Sequence, residues 1–143
     1  MSDTLLVISG ALLPPWSARG LTQTLEFIEA AGFFRRTVNG TLHNLAPAQL
    51  QLYRSVISCT DQRVPAIDGI WPGDVVTVDC VVELAYVTAG GSAARTAVPG
   101  SPRIEGDYTF YRPRLTMQVI TCPMLLEEWQ ASVGWELELE EQG

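Results

Sequence analysis

Apolar and polar residues alternate with a period of two in several runs of the chain, and the first clear one follows Pro72-Gly73. Asp74, Val76, Val78, Cys80, Val82 and Leu84 fall on one parity and are mostly apolar; Val75, Thr77, Asp79, Val81 and Glu83 fall on the other and are mixed. That pattern, rich in side chains stiff at χ1, predicts a strand with one face in a core. Proline followed by glycine before it is a turn signal, because proline presets φ and glycine accepts φ > 0. The run is the expected central strand. Val133–Glu141 alternates as cleanly: Trp135, Leu137 and Leu139 face one way, and Glu136, Glu138 and Glu140 face the other. A charged strand face also blunts edge pairing, which is its plain structural explanation.

Other segments follow the same logic. Thr4–Ile8 reads as a first strand, and Leu21–Ile28 fits a strand or a helix, its Thr-rich flanks favouring the strand. Phe33–Leu45 centres on Asn39-Gly40, the dipeptide of a type I′ hairpin. Pro47 predicts a short helix over 46–52, and Tyr53–Cys59 a strand. Tyr108–Cys122 reads as a long strand interrupted by Pro113. Pro123–Ser132, with Leu125, Leu126 and Trp129 at helical spacing, predicts a helical turn or two. The sum is one all-β domain over residues 1–143, a mainly antiparallel barrel or sandwich with one or two short helices and long extended loops.

Two stretches resist the pattern. Residues 9–20 contain Pro14, Pro15 and Trp16, and two consecutive prolines forbid regular pairing. Residues 87–106 contain Gly90, Gly91, Pro99, Gly100 and Pro102, with Val98 and Ile104 as the sizeable aliphatics after Val87. A loop of that length inside a compact domain is uncommon. Both are candidate inter-subunit arms: Trp16 would plug into this subunit's core or into a neighbour, and residues 87–106 would be a disordered excursion or an arm that orders against a neighbouring subunit.

Charge and composition narrow the function. The chain has 143 residues and a net charge of −7. After Pro123 it carries six acids (Glu127, Glu128, Glu136, Glu138, Glu140, Glu141) and no base. Nucleic-acid affinity, which needs a basic patch, is not expected. All nine basic residues are arginine; arginine pairs carboxylates bidentately and is enriched at interfaces, where lysine is depleted. No apolar run approaches bilayer-spanning length, so no membrane is expected. The N-terminus lacks a basic region and a long apolar run, pointing to synthesis in a cytosol.

Candidate chemistry is sparse. Cys59, Cys80 and Cys122 lie in apolar runs and read as core side chains. His43 is the only histidine, so zinc and histidine catalysis are not expected. There is no phosphate loop and no nucleophile elbow. Asp74 and Asp79 form a carboxylate pair of no diagnostic value among sixteen acids. No catalytic, metal or cofactor site, and no cofactor, is expected. Trp16, Trp71, Tyr108 and Tyr111 would serve a ligand- or carbohydrate-binding module, the alternative reading.

The runs Ser17–Leu25, Arg36–Leu42, Tyr53–Cys59, Pro65–Gly73 and Tyr111–Leu115 resemble those of small virion proteins of long-tailed bacteriophages. The resemblance spans most of the chain and is one of texture, without a defined motif. It implies a tail component (tube, distal tail or baseplate), with a capsid decoration protein as the other option. Such a subunit is made in the bacterial cytosol and ends in the virion. Its partners would be copies of itself in a ring, a hexamer among the options, and other tail proteins. The Glu136, Glu138 and Glu140 face would line a lumen that lets DNA pass without holding it.

Overall fold

The computed structural model describes residues 4–130 and 132–143. Its thirteen strands are β1 (Val7–Ile8), β2 (Thr22–Phe27), β3 (Phe34–Arg36), β4 (Leu42–Asn44), β5 (Tyr53–Asp61), β6 (Val75–Asp79), β7 (Leu84–Val87), β8 (Thr96–Ala97), β9 (Arg103–Glu105), β10 (Tyr108–Tyr111), β11 (Pro113–Thr121), β12 (Met124–Glu127) and β13 (Ser132–Glu141). The helical content among the described residues is two 3-10 turns, Glu29–Ala31 and Ala48–Leu50. The protein is all-β and antiparallel, and its main sheet is not closed into a barrel.

The main sheet runs β1-β6-β11-β13-β5-β2, with β12 beside β13 and β8 beside β11. Its axis is β13, not β6. The ten residues of β13 pair β5 along one side, from Val133↔Asp61 to Glu140↔Arg54. On the other side they pair β12 and then β11. β6 lies second from the edge. Cys80 N still donates to the Pro113 carbonyl of β11, but past it the amides turn to another partner: Val81 N and Val82 N donate to Gln23 Oε1 at 2.7 and 3.2 Å. Gln23 belongs to the far edge strand β2, so one side chain ties the two curled margins of the open sheet together.

One face of this sheet makes the core. Ile57, Cys59, Val76, Val78, Leu115, Met117, Val119, Trp135, Leu137 and Leu139 are buried on it. Its cover comes from the N-terminal segment, through Leu6, Ile8, Ala11, Leu13 and Ala18, and from Ile67. The segment 9–20 is therefore packed against its own sheet. Leu12 bridges Ala66, Ser17 is buried, and Trp135 Nε1 donates to the Ser17 carbonyl at 2.8 Å.

Several local expectations change. Residues 87–106 are not one loop: β8 pairs β11, and β9 joins β10 and β7 in a small separate sheet. Pro113 splits the expected long strand, ending β10 at Tyr111 and starting β11. Residues 124–127 are strand, not helix, because their amides and carbonyls pair β13 from Met124↔Trp135 to Glu127↔Ser132. Cross-strand pairing overrides the local helical spacing there. The Asn39-Gly40 hairpin forms with a different turn. Gly40 N donates to the Thr37 carbonyl and Gly40 alone has positive φ (84°). That is a three-residue loop with a glycine bulge, not type I′. The Pro72-Gly73 turn is type II, with Gly73 at φ 97° and Asp74 N donating to the Trp71 carbonyl.

Candidate assembly surfaces

Two segments, the β3–β4 hairpin and β12 with its turn, stand out because their own chain does not cover them. Every residue from 33 to 45, the β3–β4 hairpin, is exposed. So is every residue from 124 to 130, which comprises β12 and its turn toward β13. Both carry large apolar side chains: Phe33, Phe34, Val38, Leu42 and Leu45 on the first, Met124, Leu125, Leu126 and Trp129 on the second. Trp129 is 98% exposed. The β3–β4 hairpin, a two-stranded sheet of its own, is marginal in water without a third strand or a packed face, and contiguous exposed apolar surface marks an interaction site.

The two segments sit at opposite ends of the main sheet. β3–β4 follows the end of β2, where Phe27 pairs Tyr53 at the start of β5. β12 and its turn flank the start of β13, where Val133 pairs Asp61 at the end of β5. The nine residues of β5 set these ends about 26 Å apart at ~3.3 Å per residue. At the root of β3–β4, Phe27 stacks on Tyr53 with ring centroids 5.5 Å apart. Together with Ile28, Glu29, Phe34 and Arg95, among others, they line a cleft of about 560 Å³.

The acidic strand face is only partly free. Glu136 is exposed, while Glu138 and Glu140 are half-buried. Arg54 of β5 ion-pairs Glu138 and reaches Glu26 at 3.7 Å. Thr22 and Thr24 of β2, Thr116 and Gln118 of β11, and Ser58 of β5 share this solvent face through the register. The row of glutamates that is unbroken along β13 is thus interrupted, across the sheet, by a cation.

The expected arm residues are mostly structural in their own chain. Pro14 is half-buried and Pro15 exposed. Trp16 adopts φ 72°, a strained value for a bulky residue. Its carbonyl accepts Gln62 N and Arg63 N at 2.9 Å each, and the Arg19 guanidinium lies 4.1 Å from its ring centre. Arg19 also clamps Asp61 through its backbone N (2.9 Å), Nε (3.2 Å) and Nη2 (2.9 Å). That hydrogen bonding outweighs the cost of burial and holds the Asp61 carboxyl down at about 2. In the second stretch, a Cβ on Gly91 would meet the Val87 carbonyl oxygen, so glycine is required by close approach. Pro99-Gly100 forms a type II turn in which Ser101 N donates to the Val98 carbonyl. Pro102 is exposed ahead of β9. Arg95 pins this stretch to the sheet: its Nε and Nη2 donate to Glu141 at 2.8 and 3.0 Å, and Nη2 also donates to the Gln51 carbonyl at 2.9 Å. Glu141 raises the Arg95 pKa above its ordinary value.

The remaining chemistry-bearing residues do not converge. His43 lies in exposed β4 opposite Arg35. Among the described residues no three His, Cys, Asp or Glu side chains group as a metal site, and no helix is long and apolar enough to cross a membrane. Cys59, Cys80 and Cys122 are in no disulfide. Burial pushes the Cys80 thiol up to about 11 and that of Cys122 upward as well. Trp16, Trp71, Tyr108 and Tyr111 do not line the Phe27–Tyr53 cleft, and Tyr111 is buried.

Comparison with known proteins adds no relative. No protein-family model matches the chain, and neither a curated protein nor a solved structure matches it significantly. Sequence reasoning placed the hairpin at Asn39-Gly40 but not its exposure, and it read residues 124–127 as helix. The signal was present: Phe33-Phe34 and Leu125-Leu126 are adjacent apolar pairs, which a single buried strand face cannot absorb.

Proposed function

We propose that this chain is a structural subunit of a bacteriophage virion, a tail component that assembles with copies of itself, and not an enzyme. The observation that carries the assembly reading is the pair of apolar segments at opposite ends of one sheet, the β3–β4 hairpin and β12 with its turn (residues 124–130), each exposed in the single chain. Surfaces at opposite ends are different surfaces, and contacts between unlike surfaces build rings or filaments. The virion setting, with other tail proteins as partners and the virion as destination, rests on the resemblance of Ser17–Leu25, Pro65–Gly73 and the companion runs. The outer face of β13, with Glu136 exposed, is assigned to a lumen that repels passing phosphate.

Light scattering of the purified chain, followed by negative-stain imaging, tests the assembly reading. Rings or tubes are expected; a monomer at every concentration up to the millimolar range would sink it. Replacing Glu136, Glu138 and Glu140 together by Gln is expected to leave the fold intact and alter DNA retention or ejection. Unchanged infectivity would remove the lumen role.

One observation favours a binding module instead: the stacked Phe27–Tyr53 pair beside the 560 Å³ cleft. That reading expects a monomer whose ligand affinity, found in a glycan array, falls with Phe27→Ala.

A further inference from the structure

We propose that copies of this chain join head to tail, the Glu127-Glu128-Trp129 turn of one copy seating on the Arg35-Arg36 hairpin and its root cleft in the next. The inference deepens the assembly reading and rests on it. Three observations select a second copy as the occupant.

The first is charge. Residues 33–45 hold Arg35 and Arg36 and no acid; residues 124–130 hold Glu127 and Glu128 and no base. Arginines elsewhere are mostly committed: Arg19, Arg54, Arg95, Arg103 and Arg114 all pair with carboxylates. Among the described residues, Arg35, Arg36, Glu127 and Glu128 take part in no ion pair. Arg35 lies over the Phe33 ring at 4.9 Å, and Arg36 donates to the Gly40 carbonyl. Glu29 also lines the root cleft, so the hairpin arginines supply the charge match and the cleft supplies apolar surface.

The second is shape. Trp129 is a projecting aromatic at one end, and the cleft beside Phe27, Phe34 and Tyr53 at the other end is large enough for an indole. A buried Trp flanked by arginine gains both apolar burial and cation–π attraction. The third is direction. Tip against tip would oppose carboxylates, and hairpin against hairpin would oppose guanidiniums, so charge disfavours both symmetric pairings. Only the alternating arrangement, which propagates, satisfies both ends.

The test uses the full chain and two charge-reversed variants, R35E/R36E and E127R/E128R, in sedimentation velocity at low salt. Each variant alone has like charges at both ends and is expected to associate at least tenfold more weakly than the natural chain. Mixed in equal amounts, they present opposite charges at every junction, and association is expected to return. W129A is expected to weaken assembly without altering the circular dichroism spectrum. If the natural chain assembles and the variants assemble equally well, the head-to-tail contact is wrong and the assembly reading survives. Weakened variants that fail to recover on mixing would also overturn the pairing. A natural chain that stays monomeric throughout overturns both.

Discussion

Asp61 is an acid whose ionisation matters to the fold. It is buried at the end of β5 and accepts from Arg19 and Gln62, which fixes the N-terminal segment to the sheet. Its folded pKa, about 2, is below its ordinary 3.8. A depressed carboxyl stabilises the fold above the unfolded pKa, and that contribution is lost as pH falls through the folded one. Asp61→Asn should therefore cost about 2 kcal/mol in urea unfolding at neutral pH. Between pH 4 and 2 the gap between variant and natural chain should narrow; a constant gap would contradict the assignment. Leu137, fully buried in β13, sets the scale for pure packing. Leu137→Ala is expected to cost about 3 kcal/mol through lost burial and the cavity left behind. Cys80 should resist alkylation at pH 8 until the protein unfolds, since its thiol is both buried and raised to about 11.

Among the elements, β3–β4 is separable from the core and the 87–106 stretch is not. The backbone at the hairpin root is already closed by Ile28 N donating to the Leu52 carbonyl. Replacing residues 33–45 by a short Gly-Ser link should leave a folded monomer with nearly unchanged thermal stability, and remove self-association. Collapse of the fold on that deletion would mean the hairpin is structural. Excising 89–101, which the sequence alone presents as a detachable arm, would instead remove β8, buried Val98 and the Arg95 clamp. Arg95→Ala is expected to expose this stretch to limited proteolysis without unfolding the main sheet, read as a faster first cut between residues 88 and 102.

For the molecule as a whole, the open sheet leaves two unlike ends and two wet margins. Curling stops short of closure, with Gln23 spanning from β2 to the amides after β6. Gln23→Ala would strand Val81 N and Val82 N in a half-buried place. It should cost about 1–3 kcal/mol and speed amide exchange at those two positions. Assembly, if it joins hairpin to tip, is expected to slow exchange in β3, β4 and β12 while leaving β13 unchanged, because β13 is already paired on both sides.

The sequence by itself determined the all-β class, the strand cores within 53–61, 75–79, 113–121 and 132–141, a preference for strand over helix at 22–27, and the places of the turns at Asn39-Gly40 and Pro72-Gly73. Those depend on alternation, β-branching and glycine geometry, which are properties of neighbouring residues. Tertiary structure alone decided that β13 rather than β6 is the axis, that 124–127 is strand, and that Arg54 breaks the glutamate face. It also decided that 9–20 covers the core and that 33–45 is left uncovered. Each depends on which distant strand offers a partner, and alternation marks a face without saying what will lie against it.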